Sequence, residues 1–250
     1  KSADRKIVGV RVPPTALPNH LFQMDLPTPA LSRLSLWIDP VARSGPDNMA
    51  VDEWLLETIV DPVLRVYRWL GQWGSLGCFG DFKQAEQKTA NVCWVRRYTG
   101  GGVVDHQNDW TYTLVIPSNE TLAQSRGAES YRAIHHALLF ALNESLNPAL
   151  SDGSAANGDS LCFRNPVCHD VVDGVGNKLA GAGQRRSKEG LLHQGSVAGS
   201  CDDFVSIDRS KRLARALANE WKLVDLQPPA EIIAAKVAAR YGSDEWTQRR

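Results

Sequence analysis

RRYTGGGVVDHQND, residues Arg96–Asp109, and GNKLAGAGQRR, residues Gly176–Arg186, decide how this 250-residue chain is read. Each joins a pair of arginines to glycine-rich backbone, and the first adds a histidine. Backbone without side chains lets main-chain N–H groups close on a phosphate or carboxylate, and guanidinium neutralises it. Neither stretch is a Walker loop, since GxxxxGK[ST] is absent, and neither has the spacing of a dinucleotide fingerprint. Taken alone, the glycine turn reads either as a hairpin loop or as an anion cradle. It becomes a site if the two stretches face one pocket.

Working outward, Val92–Arg97 reads as a strand that empties into the glycine turn. A hairpin-like pair, Val103–His106 and Tyr112–Ile116, follows it. Upstream, Leu34–Pro40 reads as a strand. It leads into a helix capped by Asp47 or Asn48, carrying Met49, Leu55, Leu56 and Ile59 on one side and stopped by Pro62. Val63–Trp69 alternates as a half-buried strand should, with a shorter strand near Trp73–Phe79 and a polar helix in DFKQAEQK. Tyr131, Ile134, Leu138, Leu142 and Leu146 form one stripe of a helix over Glu129–Leu146. Asp152–Ser160 reads as a loop. Asp170–Val175 and Lys178–Gly181 read as strands around a Gly/Asn turn, and Leu191–Ala198 as another. Helices over Ile207–Leu217 and Glu231–Tyr241 complete the chain. Strands mixed with helices but without a regular βαβ beat predict an α+β fold with a mixed, mostly antiparallel sheet. Residues 1–33 are proline-dotted and read as an N-terminal extension, and residues 34–250 as a single domain.

Lysine plus arginine equals aspartate plus glutamate at 28 each, which argues against bulk attraction to nucleic acid or membrane. Five cysteines without a CxxC suggest reduced thiols in a cytoplasmic protein, not a disulfide framework or a zinc ribbon. No metal site is expected from side chains alone. No apolar run approaches the roughly 20 residues of a membrane span.

Lys178 opens a run of small residues that a ligand can approach closely, although an exposed lysine beside a turn has the same spacing. Arg185 and Arg186 point to opposite faces of a strand, so at most one enters a given pocket. His193 in HQGS serves equally as a pocket group or as a structural histidine. Trp69 and Trp73 read as core or as pocket lining.

Together these motifs resemble the catalytic domain shared by lipoate–protein ligases, octanoyltransferases and biotin–protein ligases. The residues that carry the resemblance are RRYTGGGVVDH, then GNKLAGAG followed by HQGS, with PDNMAVDEWLL similar to the family's first helix. The glycine loop of biotin ligases, GRG-R-x-x, is absent. The resemblance implies a class II synthetase-like fold and attachment of lipoate or octanoate to a lysine of a lipoyl carrier domain. In the ligase form it implies ATP and Mg²⁺, an acyl adenylate, and Lys178 as the cation near acyl carbonyl and α-phosphate. Arg97, Thr99, Gly100, Gly101 and Gly102 would hold the adenylate, with His106 and Asp109 bracing the loop. Gly181, Gln184, Arg185, His193, Gly195 and Ser196 complete the implied binding set. About forty residues follow Asp208, too few for the accessory domain of common bacterial ligases, so no separate C-terminal domain is expected.

The alternative within the family is an ATP-independent octanoyltransferase. There, LCFRNP places Cys162 at the position of a thioester nucleophile, with an acyl carrier protein as donor. Gly102 follows the ligase pattern, and the sequence leans that way by a small margin. A third reading is a non-catalytic homologue that binds a lipoyl domain or a lipoate-like ligand.

Overall fold

In the computed structural model, residues 28–88, 91–142, 147–154, 165–199 and 201–249 are described. The architecture grows from the strand over Asp109–Pro117, buried almost throughout. Its even-numbered side chains, Tyr112, Leu114 and Ile116, enter one apolar core, whereas Val115 enters a second. A strand covered on both faces needs partners on both edges, and helices lie on each side of the sheet.

Among the described residues the strands are β1 (Leu31–Ile38), β2 (Val63–Tyr67), β3 (Trp73–Leu76), β4 (Cys93–Arg96), β5 (Val104–Asp105) and β6 (Asp109–Pro117). They continue with β7 (Ala149–Leu150), β8 (Val171–Val172), β9 (Lys178–Arg186), β10 (Gly190–Ala198) and β11 (Ala218–Leu223). The large sheet has the order β11-β1-β2-β6-β10-β9-β8-β7, with β11 and β2 parallel to β1 and the other neighbours antiparallel. The expected mixed, mostly antiparallel α+β arrangement is therefore present. Helices α1 (Gly45–Thr58), α2 (Phe82–Lys88), α3 (Thr121–Gln124), α4 (Gly127–Leu142), α5 (Asp203–Leu217), α6 (Ala230–Lys236) and α7 (Asp244–Gln248) accompany the strands. A π-turn over Val237–Tyr241 extends α6. Helices α4 and α5 pack on the core of Leu34, Leu64, Leu114 and Leu191, whereas α1 and α6 pack on that of Trp37, Val63, Val115 and Leu192.

Several sequence expectations are corrected. Strand β1 begins at Leu31, not Leu34, and residues 1–27 of the expected extension lie outside the described residues. The cap of α1 is Ser44, whose side chain accepts the Asp47 N–H at 3.3 Å. Pro46, with φ already helical and no N–H to satisfy, suits the first turn and moves the start ahead of Asp47 and Asn48. The helix ends at Thr58, before Pro62 is reached. Val104–Asp105 does not form a hairpin with β6 but pairs antiparallel with β3, while β4 lies parallel to β3 on its other side. The Gln107–Asn108 turn thus crosses from this small sheet to the large one. Strand β11 matches no element expected from the sequence: its mostly exposed residues carry little periodicity, and pairing with β1 fixes them. Residues 143–146 of the expected long helix and residues 155–160 of the loop lie outside the described residues.

Candidate active site

The glycine turn sits between the two sheets. Gly101 has φ of +97°, a left-handed conformation that side chains with a Cβ rarely adopt. The turn presses on β9 so closely that a Cβ at Gly183 would lie 2.3 Å from the Gly100 carbonyl oxygen and 2.9 Å from Thr99 Oγ1. Thr99 Oγ1 donates to Gln194 Oε1 at 2.7 Å, which carries the contact across to β10. Gln194 Nε2 in turn donates to Asp52 Oδ2 at 2.7 Å. Asp52 also receives Thr113 Oγ1 and Arg65, each at 2.7 Å, and Arg65 reaches Asp39 at 2.8 Å. All of these side chains are buried, and the network is anchored by charge-assisted bonds from α1 to the loop.

The paired arginines brace backbone. Arg96 donates to the carbonyl oxygens of Gly77, Cys78 and Gly80, and to those of Trp246, Thr247 and Arg249 near the C-terminal end. Arg97 donates to Ser75 Oγ at 2.6 Å and to the carbonyl oxygens of Gly100 and Gly102 at 3.2 and 2.9 Å. It therefore holds the turn in shape from beneath. The Ser75 hydroxyl accepts from Arg97 and lies 2.6 Å from His106 Nε2, and His106 Nδ1 lies 2.7 Å from Asp109 Oδ2. These partners assign the Nδ1–H tautomer, with Ser75 donating to Nε2. The connectivity is that of a Ser–His–Asp relay, but Ser75 is fully buried and does not line the slot described below. The three side chains link β3 to the start of β6 through the segment that follows the turn. Ser196 Oγ also donates to Asp109, joining β10 to the same brace.

Lys178 has a different position. It is 8% exposed, and its Nζ lies 2.6 Å from Asp170 Oδ2. Its side chain folds over β9, placing Nζ 2.7 Å from where a Cβ on Gly181 would stand. Gly181 and Gly183 present the same face of β9, and a strand advances roughly 3.3 Å per residue. The amine and the glycine turn therefore flank one face of β9, about 7 Å apart along the strand. The two decisive stretches of sequence do converge.

Against this stretch of β9 lies a narrow slot of about 20 Å³ lined by Met49, Tyr67, Trp69, Arg97, Val104, His106, Thr111, Gly181–Gly183 and Gln194–Ser196. Tyr67, Trp69 and His106 separate it from a larger cavity of about 660 Å³. Trp69 stacks on His106 with ring centroids 4.0 Å apart and donates to Thr111 Oγ1 at 2.9 Å. Trp73 does not line the slot; its indole fills the space beside Gly45.

Other members of the sequence-predicted set lie elsewhere. His193 occupies the α4 face of β10, where Gln184 Nε2 donates to its Nδ1 at 3.0 Å and Tyr112 Oη lies 3.2 Å from its Nε2. Burial drives its pKa well below the ordinary histidine value, with the neighbouring His135 next in effect, so it is a neutral structural group. Gln184 is engaged there as well. Arg185 lies over the Tyr98 ring, 3.7 Å from its centroid, whereas Arg186 bonds Ser130 and Gln184. The Gly195 backbone contributes to the slot, and a side chain there would strike the Tyr112 ring. Cys162 lies outside the described residues. The sequence reading missed Gln194, Asp52, Arg65 and Asp170. The one signal for them was charge placed inside apolar runs, as in Arg65 of VLRVY and Asp52 of MAVDEWLL.

The lipoyl protein ligase A/B catalytic domain family matches residues 44–238. Octanoyltransferase LipM of Carboxydothermus hydrogenoformans is 30% identical over 197 residues, covering 71% of this chain and 72% of that protein. LipM of Bacillus subtilis is 30% identical over 193 residues, covering 69% and 68%, and LipM of Staphylococcus aureus is 31% identical over 176 residues, covering 62% of each. The chain thus spans between 62 and 72% of the length of these relatives. Among solved structures, lipoate-protein ligase A bound with ATP superposes with a TM-score of 0.66 at 18% identity, covering 87% of this chain and 98% of that one. A bi-partite lipoate protein ligase from the lipoylation system of Thermoplasma acidophilum gives 0.58 at 18% identity, covering 87% and 96%. These structural likenesses establish the shared fold, a mixed sheet with flanking helices of the class II synthetase-like kind. By its motifs, its fold and its kinship, the chain belongs to the lipoyl protein ligase A/B catalytic domain family.

Proposed function

We propose that this protein is an octanoyltransferase that moves a medium-chain acyl group from an acyl carrier protein thioester to a lysine of a lipoyl carrier domain. The observation that carries this reading is the Lys178 ammonium held over Gly181 on the face of β9 that also receives the glycine turn. Kinship at about 30% identity with proteins named octanoyltransferase supports the same reading.

In this reaction the Cys162 thiolate attacks the thioester carbonyl of the donor. The carrier's C–S bond breaks and its thiolate departs, taking up by way of water the proton that Cys162 lost on ionising, and an octanoyl thioester is left on Cys162. The neutral amine of the target lysine then attacks that carbonyl. An amide forms, the Cys162 sulfur leaves, and the amine's proton passes to the departing thiolate or to water. Each half-reaction builds negative charge on one carbonyl oxygen, and a single fixed cation with backbone N–H groups suffices to offset it. Lys178 supplies the cation. Arg97 and His106, held with Asp109 in the brace of the turn, fix one wall of the slot; at about 20 Å³ it admits no octanoyl chain, and we assign the chain to the adjoining cavity of about 660 Å³. We also propose a cytoplasmic location, where the thiol of Cys162 stays reduced.

A second reading, the ATP-dependent ligase, is favoured by the third glycine, Gly102, and by the fold shared with an ATP-bound ligase. ATP would supply an adenylate as the activated acyl group and would bring Mg²⁺ on its phosphates. The donor set fits a triphosphate less well: Arg97 is engaged with the turn's carbonyls and Arg185 with Tyr98. Incubation with octanoyl carrier protein followed by intact-mass measurement separates the two. Transfer chemistry gives an octanoyl adduct that Cys162→Ala abolishes. An unmodified wild type, with pyrophosphate release on adding octanoate and ATP, overturns it in favour of the ligase.

A further inference from the structure

We propose that Tyr131 is a positioning residue that sets the place of Lys178 by acting through Asp170. Its consequence for turnover rests on the transfer reading above, whereas its geometry does not. Asp170 is fully buried, and its Oδ2 pairs with Lys178 Nζ at 2.6 Å. The same Oδ2 accepts the Val167 N–H at 2.8 Å, which holds one oxygen of the carboxylate and leaves its rotation to be fixed at the other. Tyr131 does so: its hydroxyl donates to Asp170 Oδ1 at 2.6 Å. The same hydroxyl accepts the Ala182 N–H at 2.9 Å. Strand β8 pairs with β9 only as far as Ala180, so beyond that point Tyr131 stands where the next strand would be.

The backbone that carries Asp170 is held from the same helix. One turn after Tyr131, His135 donates from Nδ1 to the His169 carbonyl oxygen at 2.7 Å, and the Tyr131 and His135 ring centroids lie 4.1 Å apart. Burial lowers the His135 pKa to about 4, which keeps it neutral and able to serve as this donor. His169 has φ of +70°, a left-handed conformation that persists only where the surroundings enforce it. Its N–H donates to the Ser151 carbonyl oxygen at 2.7 Å, so the residue is gripped on both sides. Helix α4 thus clamps His169 and Asp170 together, the clamp aims the carboxylate, and the carboxylate aims the ammonium over Gly181. Nothing in the spacing of Tyr131 distinguishes it from the apolar stripe of α4 on which it lies.

The test combines Tyr131→Phe, Asp170→Asn and the double variant, each read by two measurements. Competitive acetylation of surface and buried lysines, followed by peptide mass spectrometry, reports how firmly the Lys178 amine is held without requiring turnover. Octanoyl transfer to a lipoyl domain reports kcat and KM. We expect Lys178 labelling to rise several-fold in Tyr131→Phe and no further when that change is added to Asp170→Asn. We expect kcat to fall roughly tenfold, the worth of a hydrogen bond to a charged group, with KM for the lipoyl domain unchanged. The losses in the double variant should not multiply, because the hydroxyl works through the carboxylate. Wild-type labelling of Lys178 in Tyr131→Phe, or independent multiplying losses, overturns the inference. If wild type fails to transfer octanoate while the labelling pattern holds, the functional reading falls and the positioning stands.

Discussion

The two decisive stretches have similar compositions and different uses. Around the glycine turn the polar side chains serve the protein's own backbone and one another: Arg97 holds the turn's carbonyls, Ser75 and Asp109 hold His106, and Gln194 holds Thr99. Along β9 the arginines turn away, and Lys178 folds back over Gly181, whose backbone lines the slot. The comparison teaches that a glycine-and-arginine signature marks a place of rigidity as readily as a place of chemistry. What separates the two is the partner. A guanidinium facing carbonyl oxygens is a brace, whereas an ammonium paired with a carboxylate beside glycine backbone is the group to which we propose a part in the reaction.

That contrast breaks most readily at Lys178. Lys178→Ala is expected to lower kcat for octanoyl transfer by about 10²–10³, the range for removing one oxyanion donor. Wild-type kcat in this variant would remove the asymmetry altogether. Arg97→Lys should cost less, roughly tenfold in kcat, because a lysine cannot reach Ser75 and two carbonyl oxygens at once. A loss at Arg97 equal to that at Lys178 would place the arginine in the reaction itself.

Two glycines sharpen the comparison. A Cβ at Gly183 meets the glycine turn, whereas at Gly190 it would lie 2.1 Å from the Ile116 carbonyl oxygen, at the far turn between β9 and β10. Each alanine should destabilise by about 1–3 kcal/mol through overpacking. Only Gly183→Ala should also slow transfer per folded molecule, as measured by thermal melting beside active-site-normalised rates. Equal rates in the two variants would mean that the contact between turn and strand is dispensable.

The smallest effect concerns pH. His135 has an ordinary value of 6.5 and about 4 in the fold, and burial lowers His193 too. Below pH 6.5 the unfolded chain binds protons that the folded one refuses. Stability should therefore fall as pH drops from about 6.5 towards about 4. Melting temperature measured across that window should decline in wild type and decline less in His135→Gln. A flat wild-type profile would contradict neutral burial on the α4 face.

Much of the fold was legible because its longer elements stand out as apolar patterns: the stripe of α4 and the strands β2 and β10 needed no context, although β2 is buried throughout and not half-buried as its alternation suggests. The failures share a cause. Strand β5 has only two residues, and β11 is half-exposed, so both are defined by neighbours distant in sequence, β3 and β1. At the site, glycine spacing pointed to the turn and to Lys178. The division of roles did not follow, because nothing local says that Arg97 faces carbonyl oxygens or that His193 faces Tyr112 and not the slot. Asp170 and Gln194 became visible only when strands β8 to β10 were laid side by side.

The most direct measurement is octanoyl transfer, without ATP, from an acyl carrier protein thioester to a lipoyl-domain lysine, followed by intact mass of the domain with wild type and Lys178→Ala in parallel. Wild type is expected to add one octanoyl group per domain and the variant to leave the domain unmodified over the same interval. A domain that gains mass only when octanoate and ATP are supplied, or that gains it equally with the variant, would contradict the role given to Lys178 in thioester transfer.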